Sequence, residues 1–504
     1  MVEKTGLKSA AALCLLIVVC FGGSERLVAQ TTTGFSKSCV ACHQKANPGL
    51  VDQWRKSRHF QEEVGCYECH RAERSDVDAM EHAKTIISVI VSPKDCARCH
   101  QEVVEQFAAS RHAGTVDRTL NSQCSILVKT VISAGIPDKT DPFGDALAGT
   151  VTGCAQCHGS AVKLKKSGNG PIQFDPTTWP NEGMGRINPD GSHGACIACH
   201  QRHEFSPTEA RQPESCGKCH SMGSGNPMLD IYRGSGHGRS YCTNKAKMSL
   251  DSGEWVLGKD YSVAPTCASC HMGAVLFTQQ PVTTNEPQVM PSTHNTSLRF
   301  NWDNSPVKAP TNCECSGGFP PGTNPPGACS DARPVDNQHI MQNVCLSCHG
   351  YSFLAGYQSQ RRAQNNMVNE KYITPGAALY KQAKIVLSEM EKKPDTYTYF
   401  THPIDYIWLE LAGHKAAQAR IAVDKGNPDY AYTGNFSLAE YWFKDFIPQL
   451  RWIIKKGKNS SNAKAREAAN LLETKLNETL ENPFYGSGWA GKYKRDCKNK
   501  NSRD

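Results

Sequence analysis

The 504-residue sequence predicts a mainly α-helical protein with few or no strands. Three observations point there. Segments Pro375 to Lys392, Ile404 to Lys425, Leu438 to Gly457 and Ala463 to Glu481 carry apolar residues at helical spacing. The first 350 residues show little sustained alternation and many Gly- and Pro-rich stretches, as in Gly168 to Pro171, Gly183 to Pro189 and Pro320 to Gly327, which read as loops. Within them the pattern Cys-x-x-Cys-His recurs eight times.

Taken in order, the chain opens with a targeting segment. Lys4 and Lys8 precede the apolar run Ala10 to Gly23, which has a signal peptide's length and is short for a membrane span. Cleavage after Ala29 is expected, making residues 1–29 a leader and the mature chain an exported, soluble protein of the periplasm or an equivalent compartment, with no later span.

Residues 30–350 hold the repeated motifs. Their cysteine pairs are Cys39 and Cys42, Cys66 and Cys69, Cys96 and Cys99, Cys154 and Cys157, Cys196 and Cys199, Cys216 and Cys219, Cys267 and Cys270, and Cys345 and Cys348. Each pair is followed by a histidine: His43, His70, His100, His158, His200, His220, His271 and His349. This is the attachment motif of c-type haem. The two thiols add to the porphyrin vinyl groups as thioethers, and the adjacent histidine lies under the iron. A zinc half-site explains one copy but not eight with the same final histidine. Eight covalent haems are therefore expected, with a core built largely on porphyrin. The chain then has roughly 60 residues per haem, against about 100–200 for an ordinary domain.

Ten histidines lie outside the motifs. Two share a context: His59 closes Trp54-Arg55-Lys56-Ser57-Arg58-His59, and His112 closes Phe107-Ala108-Ala109-Ser110-Arg111-His112. Histidine on both faces makes a haem a six-coordinate electron carrier. Ten spare rings suffice for all eight haems, so counting does not reveal an open site.

The formal charge of +8 omits the haem propionates, so it is no argument for a nucleic-acid partner, and none is expected. Of 24 cysteines, 16 lie in motifs, and Cys14 and Cys20 leave with the leader. Cys124, Cys242, Cys313, Cys315, Cys329 and Cys497 remain, in a compartment that permits disulfides. Cys313-Glu314-Cys315 lacks a following histidine and reads as a loop closed with Cys329. Residues 351–485 form the helical C-terminal region, suited to packing on the haem core or a neighbouring subunit. The tail at 486–504 is polar.

The order of local motifs resembles the octahaem hydroxylamine oxidoreductase family, which includes hydrazine dehydrogenase. The likeness is dense from Trp179 to Trp302: Trp179-Pro180-Asn181, Arg186-Ile187-Asn188-Pro189-Asp190-Gly191, Arg202-His203-Glu204-Phe205-Ser206, Gly258-Lys259-Asp260-Tyr261-Ser262 and Thr293-His294 with Arg299. It continues in Gly413-His414 to Ala419-Arg420 and Pro428-Asp429-Tyr430. The resemblance implies homotrimers with a haem wire within and between subunits; an electron-transfer cytochrome is a further candidate partner. The haem of Cys154, Cys157 and His158 would be catalytic, acting on a small nitrogen compound such as nitrite, nitric oxide or hydroxylamine. Distal ligands would be His59, His82, His112, His203, His237, His294 and His414, leaving His193, His339 and His402 surplus.

The sequence departs from that pattern twice. Gly225 and Asn226, in Met222-Gly223-Ser224-Gly225-Asn226-Pro227, stand where oxidative members carry an Asp-His pair. A nearby base is worth about 10²–10⁴-fold in such chemistry. Tyr430 and Tyr432 lie in the segment that supplies a haem-crosslinking tyrosine across the subunit boundary, but Ala431 to Asn435 and Ser437 differ from that pattern. The sequence leaves open whether that crosslink forms; its absence, together with the missing Asp-His pair, would favour reduction over oxidation. The alternatives are an electron-transfer cytochrome without a reaction of its own, or one subunit of a cytochrome hetero-complex.

Overall fold

The computed structural model describes residues 34–116, 153–165, 172–221, 227–278, 286–299, 334–391 and 400–482. The leader, the tail, the Met222 to Asn226 stretch, Trp302 and Cys124, Cys313, Cys315, Cys329 and Cys497 lie outside them.

The chain is mainly helical. The first helices are α1 (Gly34–Ala46), α2 (Pro48–Lys56), α3 (Arg58–Gln61), α4 (Cys66–His70) and α5 (Pro93–Ala108). Then come α6 (Cys154–His158), α7 (Pro207–Arg211), α8 (Pro213–Gly217), α9 (Met228–Gly234), α10 (Gly236–Asn244), α11 (Cys267–His271) and α12 (Pro334–Leu346). Three short sheets are pinned between them. β1 (Met80–His82) pairs antiparallel with β2 (Thr85–Ile87), and β3 (Leu164–Lys165) with β4 (Gln173–Phe174). β5 (Val256–Leu257) runs parallel to β6 (Ala274–Phe277), which is antiparallel to β7 (Gln288–Met290).

Three of the motif helices are a single turn, and one turn suffices for a chemical reason. In Cys-x-x-Cys-His a single turn brings both thiols to one face and projects the histidine beside them. α4, α6 and α11 each span one motif from first cysteine to histidine. The α11 turn is capped by Thr266, whose hydroxyl accepts from Ser269 N while Ser269 Oγ accepts from Thr266 N. In α5 the backbone leaves helical geometry at His100, so the helix kinks where the motif ends.

The C-terminal region is built from long helices: α13 (Tyr351–Val368), α14 (Thr374–Glu391), α15 (Pro403–Trp408), α16 (Ala416–Asp424), α17 (Pro428–Tyr441), α18 (Ile447–Lys458) and α19 (Ala463–Glu481). Three of their junctions are π-helical turns, Asn369–Ile373, Leu409–Lys415 and Trp442–Phe446. These helices enclose one apolar cluster, with Leu379, Val386, Ile404, Leu411, Leu438, Trp442, Phe446, Leu450 and Leu472 buried. A second cluster surrounds α11 with Tyr232, Met248, Trp255, Leu257, Tyr261 and Val275. Among the described residues no comparable cluster lies before Tyr232. There the helices flank motif cysteines and histidines instead, and Val77 and Val103 stay exposed. The missing apolar volume fits a core supplied by porphyrin.

Candidate functional site

The motif histidines are not scattered. Six of them face a second histidine from elsewhere in the chain. Ring centroids are 6.1 Å apart for His43 and His82, 6.4 Å for His70 and His203, and 6.2 Å for His100 and His59. They are 6.3 Å apart for His200 and His294, 6.3 Å for His220 and His112, and 6.0 Å for His349 and His237. Metal–imidazole bonds are about 2 Å long. Two imidazoles on opposite faces of one iron therefore place their centroids about 6 Å apart. Six independent pairs at that spacing fit haem iron between them, with the paired cysteines alongside.

Each pair is assembled from distant sequence. His59 comes from α3, where Ser57 caps the turn by accepting from Phe60 N at 3.1 Å. The edge of Phe205 packs on its ring at 5.1 Å. His82 comes from the β1–β2 hairpin and His237 from α10. His112 and His294 follow α5 and β7, and Gln106 Oε1 accepts from His294 N at 2.8 Å.

Partners on the ring nitrogens remote from the iron complete these sites. His70 Nδ1 meets the Ser88 carbonyl at 2.8 Å, and His43 Nδ1 meets Asn47 Oδ1 at 3.1 Å. His112 Nδ1 lies 3.4 Å from Thr296 Oγ1, and the His271 ring is bonded to the Arg299 main chain. Such bonds fix the tautomer and leave Nε2 for the metal. Burial, with a facing or neighbouring cation, keeps the rings neutral. It pushes His200 down to about 4 beside His294, and His203 down to about 4 beside His70. Burial and the Lys425 ammonium push His271 down to about 3. A neutral imidazole is the ligating form. None of these partners was legible in the sequence.

His158 and His271 are the other two motif histidines. His158 closes α6, between glycines at positive φ: Gly153 at +84° and Gly159 at +83°. Burial lowers its pKa, with His220 as the neighbouring charge. A glycine-rich turn wraps this motif. Met184 N donates to Cys157 O at 2.9 Å, and Gly185 N to His158 O at 3.2 Å. Asn181 Nδ2 donates to Ser160 Oγ at 2.7 Å. Arg186 is buried beneath it, donating to Asn188 Oδ1 and the Asn181 carbonyl and lying over Trp179. Burial pushes the Arg186 guanidinium down to about 10.

The structure leaves the other predicted site residues elsewhere. His414 sits in a π turn, with Nδ1 2.6 Å from Glu410 Oε2. Among the described residues it faces no motif histidine ring. Tyr430 is in the first turn of α17, half-buried, its N–H donated to Asn427 Oδ1 and its hydroxyl near Asp230. Tyr432, on the same helix, is 73% exposed. His193 and His339 are exposed. His402 caps α15 and bonds Glu391.

The motif cysteines meet in an ordered series. Cys96 is hydrogen-bonded to Cys196, Cys157 to Cys219, and Cys216 to Cys267. Electrostatic contacts link Cys39 with Cys66, Cys69 with Cys99, Cys199 with Cys216, and Cys270 with Cys345. Motifs one, two, three, five, six, seven and eight thus lie next to one another in that order, and motif four lies beside motif six.

Residues 190–283 match a family model described as seven times multi-haem cytochrome CxxCH. A probable nitrite reductase-hydroxylamine oxidoreductase fusion protein of Kuenenia stuttgartiensis is 24% identical over 260 residues, 46% of this chain and 25% of that protein. The chain thus matches about a quarter of that relative's length. A solved hypothetical multiheme protein superposes with a TM-score of 0.62 at 22% identity, covering 89% of this chain and 96% of the other. A chain of the Kuenenia stuttgartiensis reducing HAO-like protein complex superposes with a TM-score of 0.52 at 17% identity, covering 87% of each. The fold is that of multihaem cytochromes, the motifs are those of covalent c-type haem, and the sequence is distantly similar to part of a probable nitrite reductase-hydroxylamine oxidoreductase fusion protein.

Proposed function

We propose that this chain is an octahaem c-type cytochrome that converts small nitrogen compounds at the haem of His158, and that it favours reducing nitrite or nitric oxide over oxidising hydroxylamine. The observation that carries the cytochrome reading is the set of six histidine pairs at 6.0–6.4 Å. The pairs His43–His82, His70–His203, His100–His59, His200–His294, His220–His112 and His349–His237 would hold haem iron between them. The cysteine contacts would order these six haems and that of motif seven into a wire that runs one, two, three, five, six, seven, eight.

The fourth motif is the reaction centre. It joins the wire at motif six through Cys157 and Cys219, and a buried polar turn with Arg186 lies under it. The haem supplies redox change and a site for substrate. The chain would supply the neutral His158 and the neighbouring motif six. Gly225 and Asn226 offer no carboxylate or imidazole to take substrate protons, which disfavours oxidation. The relative's name couples nitrite reductase with hydroxylamine oxidoreductase, in keeping with this substrate class.

The protein works as a homotrimer or in a hetero-complex with an electron-transfer cytochrome. Exposed Tyr432 and Phe436, stacked at 6.4 Å on α17, give the C-terminal helices an apolar face for a neighbouring subunit. Residues 1–29 are the export leader, 30–350 the haem-binding region and 351–485 the helical region that covers it.

The test uses one preparation with artificial donors and acceptors. The reading expects eight haems by intact mass, nitrite or nitric oxide reduction, and loss of that turnover in His158→Ala. Hydroxylamine oxidation at about 1–10³ s⁻¹ with negligible nitrite reduction rejects the direction. Unchanged turnover in His158→Ala rejects the site.

A further inference from the structure

We propose that Arg299 is a positioning residue: it anchors a strap, residues 291–299, that sets the ligand geometry of haems five, six and seven together. This rests on the haem reading of motifs five to seven given above.

The strap leaves β7 and meets three motifs in turn. It first touches motif seven, where Thr293 N donates to the Met272 carbonyl at 2.8 Å, one residue past His271. His294 then faces His200 of motif five, with ring centroids 6.3 Å apart. Two residues on, Thr296 Oγ1 lies 3.4 Å from Nδ1 of His112, the ring that faces His220 of motif six. Ser297 Oγ accepts from Arg111 N at 2.9 Å and fixes the same corner. The strap ends back at motif seven, where the Arg299 main chain is bonded to the His271 ring. Its own turns keep it short: Asn295 N donates to Thr293 Oγ1 at 3.0 Å, and Ser297 N to Asn295 Oδ1 at 3.1 Å. One segment thus provides a facing histidine for haem five, a partner for the histidine facing haem six's His220, and a partner for the attachment histidine of haem seven.

The Arg299 side chain closes this strap into a loop. It is 1% exposed. Nη1 donates to the Gly273 carbonyl at 2.6 Å, and Nη2 to the Pro291 carbonyl at 2.8 Å. Gly273 is itself locked to the motif-seven turn, since Gly273 N and Met272 N both donate to the Ala268 carbonyl, at 2.7 and 2.8 Å. The guanidinium therefore ties the start of the strap to its end, and both to motif seven. A planar fork with donors in fixed directions suits two carbonyls on separate segments, whereas an ammonium is a point donor. A cation this deep is costly unless hydrogen-bonded, so both carbonyls are drawn in and held. Partners of ligand rings orient those rings, so a strap released at Arg299 reaches all three haems.

The experiment is low-temperature electron paramagnetic resonance of the ferric holoprotein. The signals of haems five, six and seven are identified by their change in His294→Ala, His112→Ala and His271→Ala. Arg299→Lys keeps the charge and loses the fork. It should shift the g-values of these three haems and leave those of haems one, two, three and eight unmoved. Thr296→Val breaks one contact of the strap without touching the guanidinium, and should move haem six alone. An Arg299→Lys spectrum that matches the unaltered protein overturns the proposal. So does a change confined to haem seven, which would make the arginine local to its own motif, or one spread over every haem, which would make its role general stability. Where Arg299→Lys does not fold, an unmoved haem six in Thr296→Val overturns the strap. Intact mass of the unaltered protein separates the two readings: a chain lacking haem at motif five, six or seven sinks the haem reading and this proposal with it, whereas a full complement with unmoved signals in the variants sinks only the strap.

Discussion

At the residue scale, single side chains decide the state of single haems. His203 faces His70 at 6.4 Å, while the Ser88 carbonyl holds the other side of the His70 ring. His203→Ala is expected to convert one low-spin haem per chain to high-spin and to leave the other signals unmoved, as counted by electron paramagnetic resonance. Tyr357 gives a pH prediction. Burial pushes its phenol up to about 12 from an ordinary 10, with Asp424 adding to the rise. Stability contributed by the neutral phenol is fully present below pH 10, because the unfolded form loses its proton first. It is lost as pH rises toward 12. The loss is up to about 2.7 kcal/mol for a rise of that size, and Tyr357→Phe should flatten the unfolding midpoint between pH 10 and 12. The attachment residues were legible because Cys-x-x-Cys-His is local. The pairings were not, since His70 and His203 lie far apart along the chain and only the fold joins them.

At the element scale, two helices of the C-terminal region were read nearly to their ends, while α13 and the first ten residues of α17 were not. The periodic segments Pro375 to Lys392 and Ala463 to Glu481 coincide with α14 and α19 within a residue or so. α13 was missed for a physical reason. Its buried face includes Arg361 and Asn365 along with Leu354 and Val368, so apolar periodicity is diluted by polar groups that find partners only in the fold. The joined helices α15–α16 and α17–α18 hide π turns that no propensity indicates. Close packing of α16 on α17 makes a further prediction. A Cβ at Gly434 would lie 2.8 Å from Ala419 Cα. In an open helix Gly→Ala stabilises by about 0.5–1 kcal/mol. Here Gly434→Ala must push the two helix backbones apart, and overpacking costs about 1–3 kcal/mol. The urea midpoint should therefore fall, not rise.

At the scale of the whole molecule, two kinds of core share one chain. Residues 368–476 bury an apolar cluster of their own, whereas the described residues before Tyr232 have none. Chain produced without haem attachment should thus fail unevenly. Limited proteolysis is expected to degrade residues 34–230 quickly and to leave a resistant fragment spanning about 351–482, identified by mass. Uniform degradation of both regions would refute this division. The sequence made the haem region conspicuous through its motifs and its lack of periodicity. It did not disclose the spatial order of the motifs, because contacts such as Cys96–Cys196 and Cys157–Cys219 skip over chain neighbours.

If motif four is the reaction centre, as proposed, its meeting with motif six, off the line that continues to motif seven, would separate storage from delivery. A centre placed within the line would interrupt traffic whenever it held substrate. A centre on a spur leaves the through-route conducting, so electrons gather along it between turnovers and discharge in a burst when substrate arrives. In a stopped-flow experiment on fully reduced protein, several equivalents should leave the line in one rapid phase before any external donor is consumed.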